Sequence, residues 1–320
     1  MRGQAGSDAA DIFAEGNIIA GDGGRRWNSG TSILPHVQRI VATMNEEPNP
    51  RTTEHRVKSW EELQRYVAKF EDPSRKPWDE VWFRGQSDAN WALSTTLERR
   101  PNRRWTVAEY LRVIYRIRPA IETFTGSQFS MLDGLELEQV CRRYDHFEHE
   151  LYKCATYLAH LRHGGFPSPL LDWTLSPYVA AYFAFHDARP NGDVAIYAYR
   201  EGHERQANVK LGGSDDPRIV SFGPIIKTHK RHFRQQSRYT ACVQFGEDGQ
   251  WIFAPHDDIF GQTDHLKQDL LWKVTIPASE RLNVLHFCDK VNLNEFTLFD
   301  SEEGLLKMLA MREFDLRHGR

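Results

Sequence analysis

Arg84 is followed by Gly85 and ends a short apolar run, residues 81–83. A guanidinium carries a planar fork of N–H donors that suits a phosphate or a carboxylate. Glycine has no Cβ, so a ligand or another backbone segment can approach it closely. The pair therefore predicts an anchor for the phosphates of a nucleotide. A structural ion pair of Arg84 with Asp172 or Asp88 explains the sequence equally well, because a buried arginine needs a partner.

His163 and Asp172 are two further candidates for chemistry. His163 precedes a Gly-Gly-Phe-Pro loop, residues 164–167, and a loop histidine can transfer protons or contact a ligand. Asp172 lies between apolar residues, so it is either an acid or base with a raised pKa or the structural partner of Arg84 or His163. We predict no metal site, because no histidine or cysteine pair with zinc-type spacing accompanies His163.

Hydroxyl side chains follow Asp172 at positions 174 and 176. Ser176 precedes Pro177 and an apolar run, which predicts an N-cap and a helix beginning at Pro177. Thr174 would then lie near the N-terminus of that helix, where anions are favoured. Both hydroxyls are candidate contacts for a bound nucleotide, with helix capping as the alternative for Ser176.

The segment 227–234 is basic and contains two histidines and a phenylalanine. A solvated loop is the commonest explanation for such a run. The alternative is a contact with a phosphate-rich partner such as nucleic acid.

The elements that must position these residues change in type along the chain. Helical periodicity and caps predict helices over residues 60–70, 105–124 and 136–162, and further helices after Ser176 and Ser301. Strand-like runs cover residues 81–83, 194–199, 239–243 and 271–276. This order, helix-rich first and strand-rich later, predicts an α+β fold.

The composition predicts one large folded domain without a membrane anchor. Hydrophobic residues make up 40% of the 320 positions, and the formal net charge of -3 gives no general basic excess for nucleic acid. Four widely separated cysteines and the lack of a long apolar run predict a cytoplasmic protein with buried thiols. Residues 1–50, rich in Gly, Asp and Asn, are predicted to be a flexible N-terminal arm, and residues 51–320 the domain.

Two longer segments resemble the motifs of the FRG-domain family. The first runs from Trp82 to Leu93 and begins Trp82-Phe83-Arg84-Gly85-Gln86. The second runs from His163 to Thr174 and ends Leu171-Asp172-Trp173-Thr174. A third match covers residues 234–240, and the resemblance spans residues 55–312. The second segment departs from the family pattern at Ser168 and Pro169, and Arg162 precedes it where the family usually has glutamine.

The chain also resembles ADP-ribosyltransferases that use an arginine, a serine and a glutamate. Residues 83–85 are similar to their first element, residues 173–184 to their second, and Gln235-Gln236 falls at the third. The resemblance implies a helix-rich half packed on a mostly antiparallel split sheet, with NAD as the substrate. It places Gln236 where the catalytic glutamate stands. An amide can hold the ribose but cannot stabilise an oxocarbenium-like transition state by charge, which leaves Asp172 as the alternative source.

Three functions remain open from the sequence. The first is an enzyme that cleaves the N-glycosidic bond of NAD or transfers ADP-ribose to a protein or nucleic-acid acceptor. The second is a non-catalytic module on the same fold that binds a nucleotide, another small molecule or a macromolecule. The third is a phosphodiester-cleaving enzyme that uses His163 and Asp172. The catalytic candidates are His163, Asp172 and Gln236, and the candidates for cofactor binding are Arg84, Gly85, Thr174 and Ser176.

Overall fold

The structure of the protein, a computed structural model, describes residues 52–71, 80–100, 104–132, 136, 139, 151–201, 217–223, 226–260 and 269–317. The chain divides into two compact units, Met1–Glu47 and Pro48–Arg320, and every described residue belongs to the second. The predicted N-terminal arm lies outside the described residues, as does most of the first part of the helix predicted over residues 136–162.

Strands and helices are interspersed along the described residues up to the last strand, and only helices follow it. The strands are β1 (Thr52–Arg56), β2 (Val81–Gln86), β3 (Leu171–Thr174), β4 (Asp193–Arg200), β5 (Arg218–Phe222), β6 (Ser237–Phe245), β7 (Trp251–Phe253) and β8 (Leu270–Pro277). The α-helices are α1 (Trp60–Ala68), α2 (Val107–Thr125), α3 (Ala155–His163), α4 (Pro177–His186), α5 (Lys230–Arg234), α6 (Asp257–Phe260), α7 (Arg281–Lys290), α8 (Glu295–Phe299) and α9 (Glu302–Ala310).

Short polar side chains begin the helices where the sequence predicts. The Ser59 hydroxyl accepts from the Glu62 amide, the Ser176 hydroxyl from Val179 and the Ser301 hydroxyl from Gly304. Each bond satisfies one of the amide groups that the first turn of a helix leaves without a partner. The predicted starts of α1, α4 and α9 are therefore confirmed.

The strands form one mostly antiparallel open sheet, in the order β1-β8-β4-β2-β3-β6-β5, with β7 also paired to β6. Among the described strands only β1 and β8 pair in parallel. The mixed α and β architecture and the strands at 194–199, 239–243 and 271–276 are confirmed. The predicted order of helices first and strands later was wrong, because β1 and β2 precede most of the helices. Four of the five β1 residues are exposed, so β1 has no apolar alternation to mark it as a strand.

The sheet nearly separates between β2 and β3. Strand β2 pairs with β4 along its whole length, whereas its register with β3 is limited to Phe83 opposite Thr174. Beyond that pair the two strands no longer form a ladder. Backbone groups at this break must find other partners, which makes it a natural place for side chains and ligands to enter.

Apolar clusters cover the sheet and hold the elements that surround the break. One cluster packs α2 and α3 against β5, β6 and β7. Another packs α1, α4 and α7 against β2, β4 and β8. No helix in the described part of the chain is long and apolar enough to cross a membrane.

Candidate functional site

A cavity of about 330 Å³ lies beside the break between β2 and β3. It is lined by β2, β3, α4 and α8, by the C-terminal end of α3, and by α5 with the turn that follows it. Its volume falls at the lower end of the roughly 300–1,000 Å³ that small-molecule pockets occupy. Arg84, His163 and Asp172, which the sequence places in separate motifs, all line this one pocket. Their predicted convergence is therefore confirmed.

Arg84 spans the break between the strands. Its Nη1 donates to the backbone carbonyl of Asp172 at 2.8 Å, so a side chain replaces a missing ladder bond. Its Nε is buried and has no hydrogen-bond partner among the described residues. Burial lowers the pKa of the Arg84 guanidinium to about 10. The structural alternative named the right partner, since Arg84 bonds to Asp172, but the bond is to the backbone carbonyl and not to the carboxylate. Asp88, the other partner considered, accepts from Asn90.

The Asp172 carboxylate is held by Arg162. Arg162 Nε donates to Oδ1 at 3.1 Å, and Nη2 donates to Oδ2, so both carboxylate oxygens accept from one guanidinium. This bidentate geometry fixes the carboxylate more firmly than a single contact would. Asp172 lines the pocket with its two oxygens already bound, which favours its structural role over that of a free acid or base.

His163 is hydrogen-bonded within a group of three rings. Its Nε2 lies 2.7 Å from the Tyr239 hydroxyl, and the same hydroxyl lies 2.9 Å from His232 Nδ1. Burial lowers the pKa of His163 to about 4, with Asp172 opposing the shift and His232 adding to it. Burial also lowers the pKa of His232 and raises that of Tyr239. All three groups are therefore neutral at physiological pH.

Gly85 is required by packing between strand and helix. A Cβ on Gly85 would lie 1.9 Å from the Ala180 carbonyl oxygen and 2.7 Å from the Ala184 amide nitrogen, both in the backbone of α4. Gly85 lines the pocket, but the close approach that its sequence predicts is an approach of backbone to backbone. Ala180 and Ala184 stand one turn apart on α4, so small side chains on both elements allow this contact.

The hydroxyls predicted to contact a nucleotide serve local structure. The Thr174 hydroxyl lies in the pocket lining but donates to the Gln235 carbonyl at 2.7 Å, and it accepts from the Ser176 amide. Ser176 caps α4, as the alternative reading expects, and it is outside the pocket lining.

Gln236 does not enter the pocket. Its φ of 49° places it in the left-handed region, and its side chain is exposed. Its neighbour Gln235 lines the pocket instead, with Nε2 donating to the Leu298 carbonyl at 3.3 Å. The prediction that Gln236 lies at the site was therefore wrong in position. In a tight turn, neighbouring residues point in different directions, so Gln235 faces the pocket and Gln236 faces solvent.

The basic segment contributes one side chain to the pocket. Arg231 lines the cavity, and its guanidinium lies 5.2 Å from the centre of the Phe299 ring. Lys230 and Arg234 contact Asp300 on the neighbouring turn, and Phe233 is exposed. Part of the segment is therefore the helix α5, whereas a solvated loop is the commonest explanation for such a basic run.

Arg162, Tyr239 and His232 were missed as site residues. Arg162 and His232 had a sequence signal, since one departs from a family motif and the other lies in the basic segment. Tyr239 also departs from the family pattern, which tends to have phenylalanine there, but an aromatic residue in a strand is more often part of the core. No group of three or more His, Cys, Asp or Glu side chains in the described portion is arranged to hold a metal ion.

The depressed pKa of His163 predicts a specific pH dependence of stability. Between the ordinary value of 6.5 and the folded value of about 4, the unfolded chain binds a proton that the folded chain does not. The contribution of His163 to the free energy of unfolding is therefore fully present above pH 6.5. It is lost progressively as the pH drops towards 4. In His163→Gln, the slope of unfolding free energy against pH should decrease by up to about 1.4 kcal/mol per pH unit in this window.

The measurement is urea unfolding at a series of pH values, with Gln235→Ala as a control that lines the same pocket without titrating. An unchanged slope in His163→Gln would show that His163 is protonated equally in the folded and unfolded chains.

Fold and site together define a mixed α and β protein with an arginine-lined pocket at a break in its sheet. A family model for the FRG domain matches residues 79–193, so the chain contains an FRG domain. The match includes Arg84, Gly85, Arg162, His163 and Asp172. Neither the curated proteins nor the solved structures contain a match to this chain.

Proposed function

We propose that the protein binds a nucleotide in this pocket, with the phosphates against its guanidinium groups. The observation that carries the proposal is the charge of the lining, in which Arg84 and Arg231 are positive and the Asp172 carboxylate is already paired with Arg162. Guanidinium groups in a partly buried site favour phosphate strongly, because they donate in pairs and are weakly hydrated.

The apolar walls supply a surface for a base or another flat ring. Phe183 and Phe299 lie edge to face with ring centres 6.1 Å apart, and both line the pocket. Stacking of a base on an aromatic side chain contributes about 1–3 kcal/mol, and an arginine over a ring adds to it. A volume of about 330 Å³ suits one nucleotide unit rather than a whole dinucleotide. NAD would therefore bind through one half.

Nucleotide binding is better supported than cleavage of the N-glycosidic bond. Cleavage requires negative charge beside the oxocarbenium-like transition state. Gln236, at the position of the catalytic glutamate, is exposed, and the Asp172 carboxylate is neutralised by Arg162. The pocket holds anionic ligands without supplying that charge.

Titration calorimetry with AMP, ADP-ribose, NAD and adenosine tests the proposal. The three phosphate-bearing ligands should bind, with affinity that falls as salt concentration rises, and adenosine should bind far more weakly or not at all. Equal affinity for AMP and adenosine would contradict a phosphate site. Absence of binding by all four ligands would end the nucleotide proposal.

A matched pair of glutamates tests whether the pocket can be made catalytic. Gln235→Glu introduces a carboxylate into the lining, whereas Gln236→Glu places one on the surface. With NAD as substrate, nicotinamide release should increase in Gln235→Glu and stay at the wild-type level in Gln236→Glu. The reverse result would restore the alignment of Gln236 with the transferase glutamate.

A further inference from the structure

His163, Tyr239 and His232 form a continuous hydrogen-bonded chain that ends in the pocket. The Tyr239 hydroxyl bridges His163 Nε2 at 2.7 Å and His232 Nδ1 at 2.9 Å. Tyr239 is fully buried, and the His232 ring stacks on it with an interplanar angle of 18°. His163 lines the cavity. Since Tyr239 occupies Nε2, the other ring nitrogen of His163, Nδ1, is the one left for a ligand.

A single hydroxyl proton makes this chain directional. Tyr239 can donate to one histidine, and it must then accept from the other, because both rings are neutral and each has one N–H. The shorter contact, to His163, fits an O–H donor, and the longer contact, from His232, fits an N–H donor. In this arrangement both rings carry their proton on Nδ1. With the hydroxyl proton in this direction, His163 presents an N–H to the pocket.

We propose that His232, Tyr239 and His163 form a proton relay, in which His163 Nδ1 donates to the ligand in the pocket and Tyr239 and His232 are positioning residues. The identity of the ligand rests on the proposed function, whereas the relay itself does not. Such a donor suits a ligand oxygen that gains negative charge, for example the leaving oxygen of a phosphoester when a water molecule forms the new bond to phosphorus and displaces it. Nicotinamide leaves as a neutral molecule and needs no such proton.

The proton transfer balances as a set of shifts along the hydrogen-bonded chain. His163 Nδ1 gives its proton to the ligand, and His163 Nε2 takes the hydroxyl proton of Tyr239. The Tyr239 oxygen takes the proton of His232 Nδ1, and His232 Nε2 takes one from solvent. Each side chain is neutral before and after, and the net change moves one proton from solvent to the ligand.

The charged groups around the hydrogen-bonded chain of His163, Tyr239 and His232 are consistent with neutral histidine rings. Asp172 raises the pKa of His163, while Arg162 and His229 lower it after the dominant effect of burial. Arg238 lowers the pKa of His232, also after burial. Burial and Asp172 raise the pKa of Tyr239, so its hydroxyl passes a proton on without remaining ionised.

Nuclear magnetic resonance of the full chain, with isotope-labelled histidine nitrogen, reads the tautomer of each ring without any ligand. At neutral pH, His163 and His232 should both be uncharged and protonated on Nδ1. Tyr239→Phe removes only the hydroxyl, and His163 should then become a mixture of both tautomers. Tyr157→Phe is the matched control, since Tyr157 is equally buried and donates to the Ile114 carbonyl.

A conservative replacement separates positioning from packing. His232→Asn keeps an N–H near the position of Nδ1 and should keep His163 in its single tautomer, whereas His232→Leu should not. A charged ring in the wild type, His163 protonated on Nε2, or an unchanged His163 spectrum in Tyr239→Phe would each overturn the relay.

Addition of ADP-ribose tests the destination of the proton. The His163 Nδ1–H signal should shift on binding. Binding without this shift would overturn the role of His163 as donor, while absence of binding would count against the nucleotide proposal and leave the relay to be judged by the tautomers.

Discussion

Replacement of Arg84 with alanine should weaken the binding of ADP-ribose by about ten- to hundredfold. The change removes a charge-assisted donor from the partly buried site that we propose for phosphate, for which the expected loss is roughly 1.5–3 kcal/mol. It also leaves the backbone carbonyl of Asp172 without the donor that it has across the break in the sheet. We therefore expect a lower melting temperature together with the loss of affinity.

Calorimetry and thermal unfolding of the same variants separate these two effects. Arg56→Ala is the matched control, because Arg56 is exposed and contacts Asp193, and neither residue lines the pocket. Arg84→Lys keeps the charge but not the fork of donors, so it should recover only part of the affinity. If Arg84→Ala binds ADP-ribose as the wild type does, the phosphates do not contact this guanidinium, and the role of Arg84 is purely structural.

Replacement of Gly85 with alanine should destabilise the protein more than any other single methyl addition in the pocket. The new Cβ would lie 1.9 Å from the Ala180 carbonyl oxygen, and neither β2 nor α4 can move without disturbing the apolar cluster between them. Overpacking of a core costs about 1–3 kcal/mol, and a clash between two backbones belongs above that range. We expect unfolding at markedly lower urea concentration, or a failure to fold.

Gly164→Ala is the control for this prediction. Gly164 has a φ of -76°, and a Cβ there would be 3.5 Å from its nearest neighbours, which is ordinary contact. Its midpoint in urea should stay close to that of the wild type. A Gly85→Ala protein with the stability of Gly164→Ala would mean that β2 and α4 are farther apart than the structure has them.

Together these predictions explain why arginine and glycine adjoin in the first motif. Successive residues of a strand point to opposite faces of the sheet. Phe83 and the Cβ direction of Gly85 therefore share the face that packs on α4, while Arg84 leaves from the other face and turns into the break beside β3. Gly85 brings the strand and the helix together, and Arg84 before it supplies a donor where the ladder ends.

Much of the local structure could be predicted from the sequence. Ser59, Ser176 and Ser301 each begin a helix, because an N-cap depends on a hydroxyl and on amides two or three residues away. The strands β4, β6 and β8 are apolar and β-branched enough to be recognised. These signals are contained within a few residues of chain, so sequence alone determined them.

The partners of those side chains were decided by tertiary structure. Asp172 could pair with Arg84, His163 or Arg162, and only the placement of α3 against β3 selects Arg162. The turn before β6 points Gln236 to solvent and Gln235 into the pocket. Tyr239 joins His163 to His232 because α3 and α5 both pack against β6. The hydrogen-bond partners depend on contacts between residues that are distant in the chain, and the direction of Gln236 depends on one backbone rotation. Residue type and spacing did not predict these contacts or that rotation.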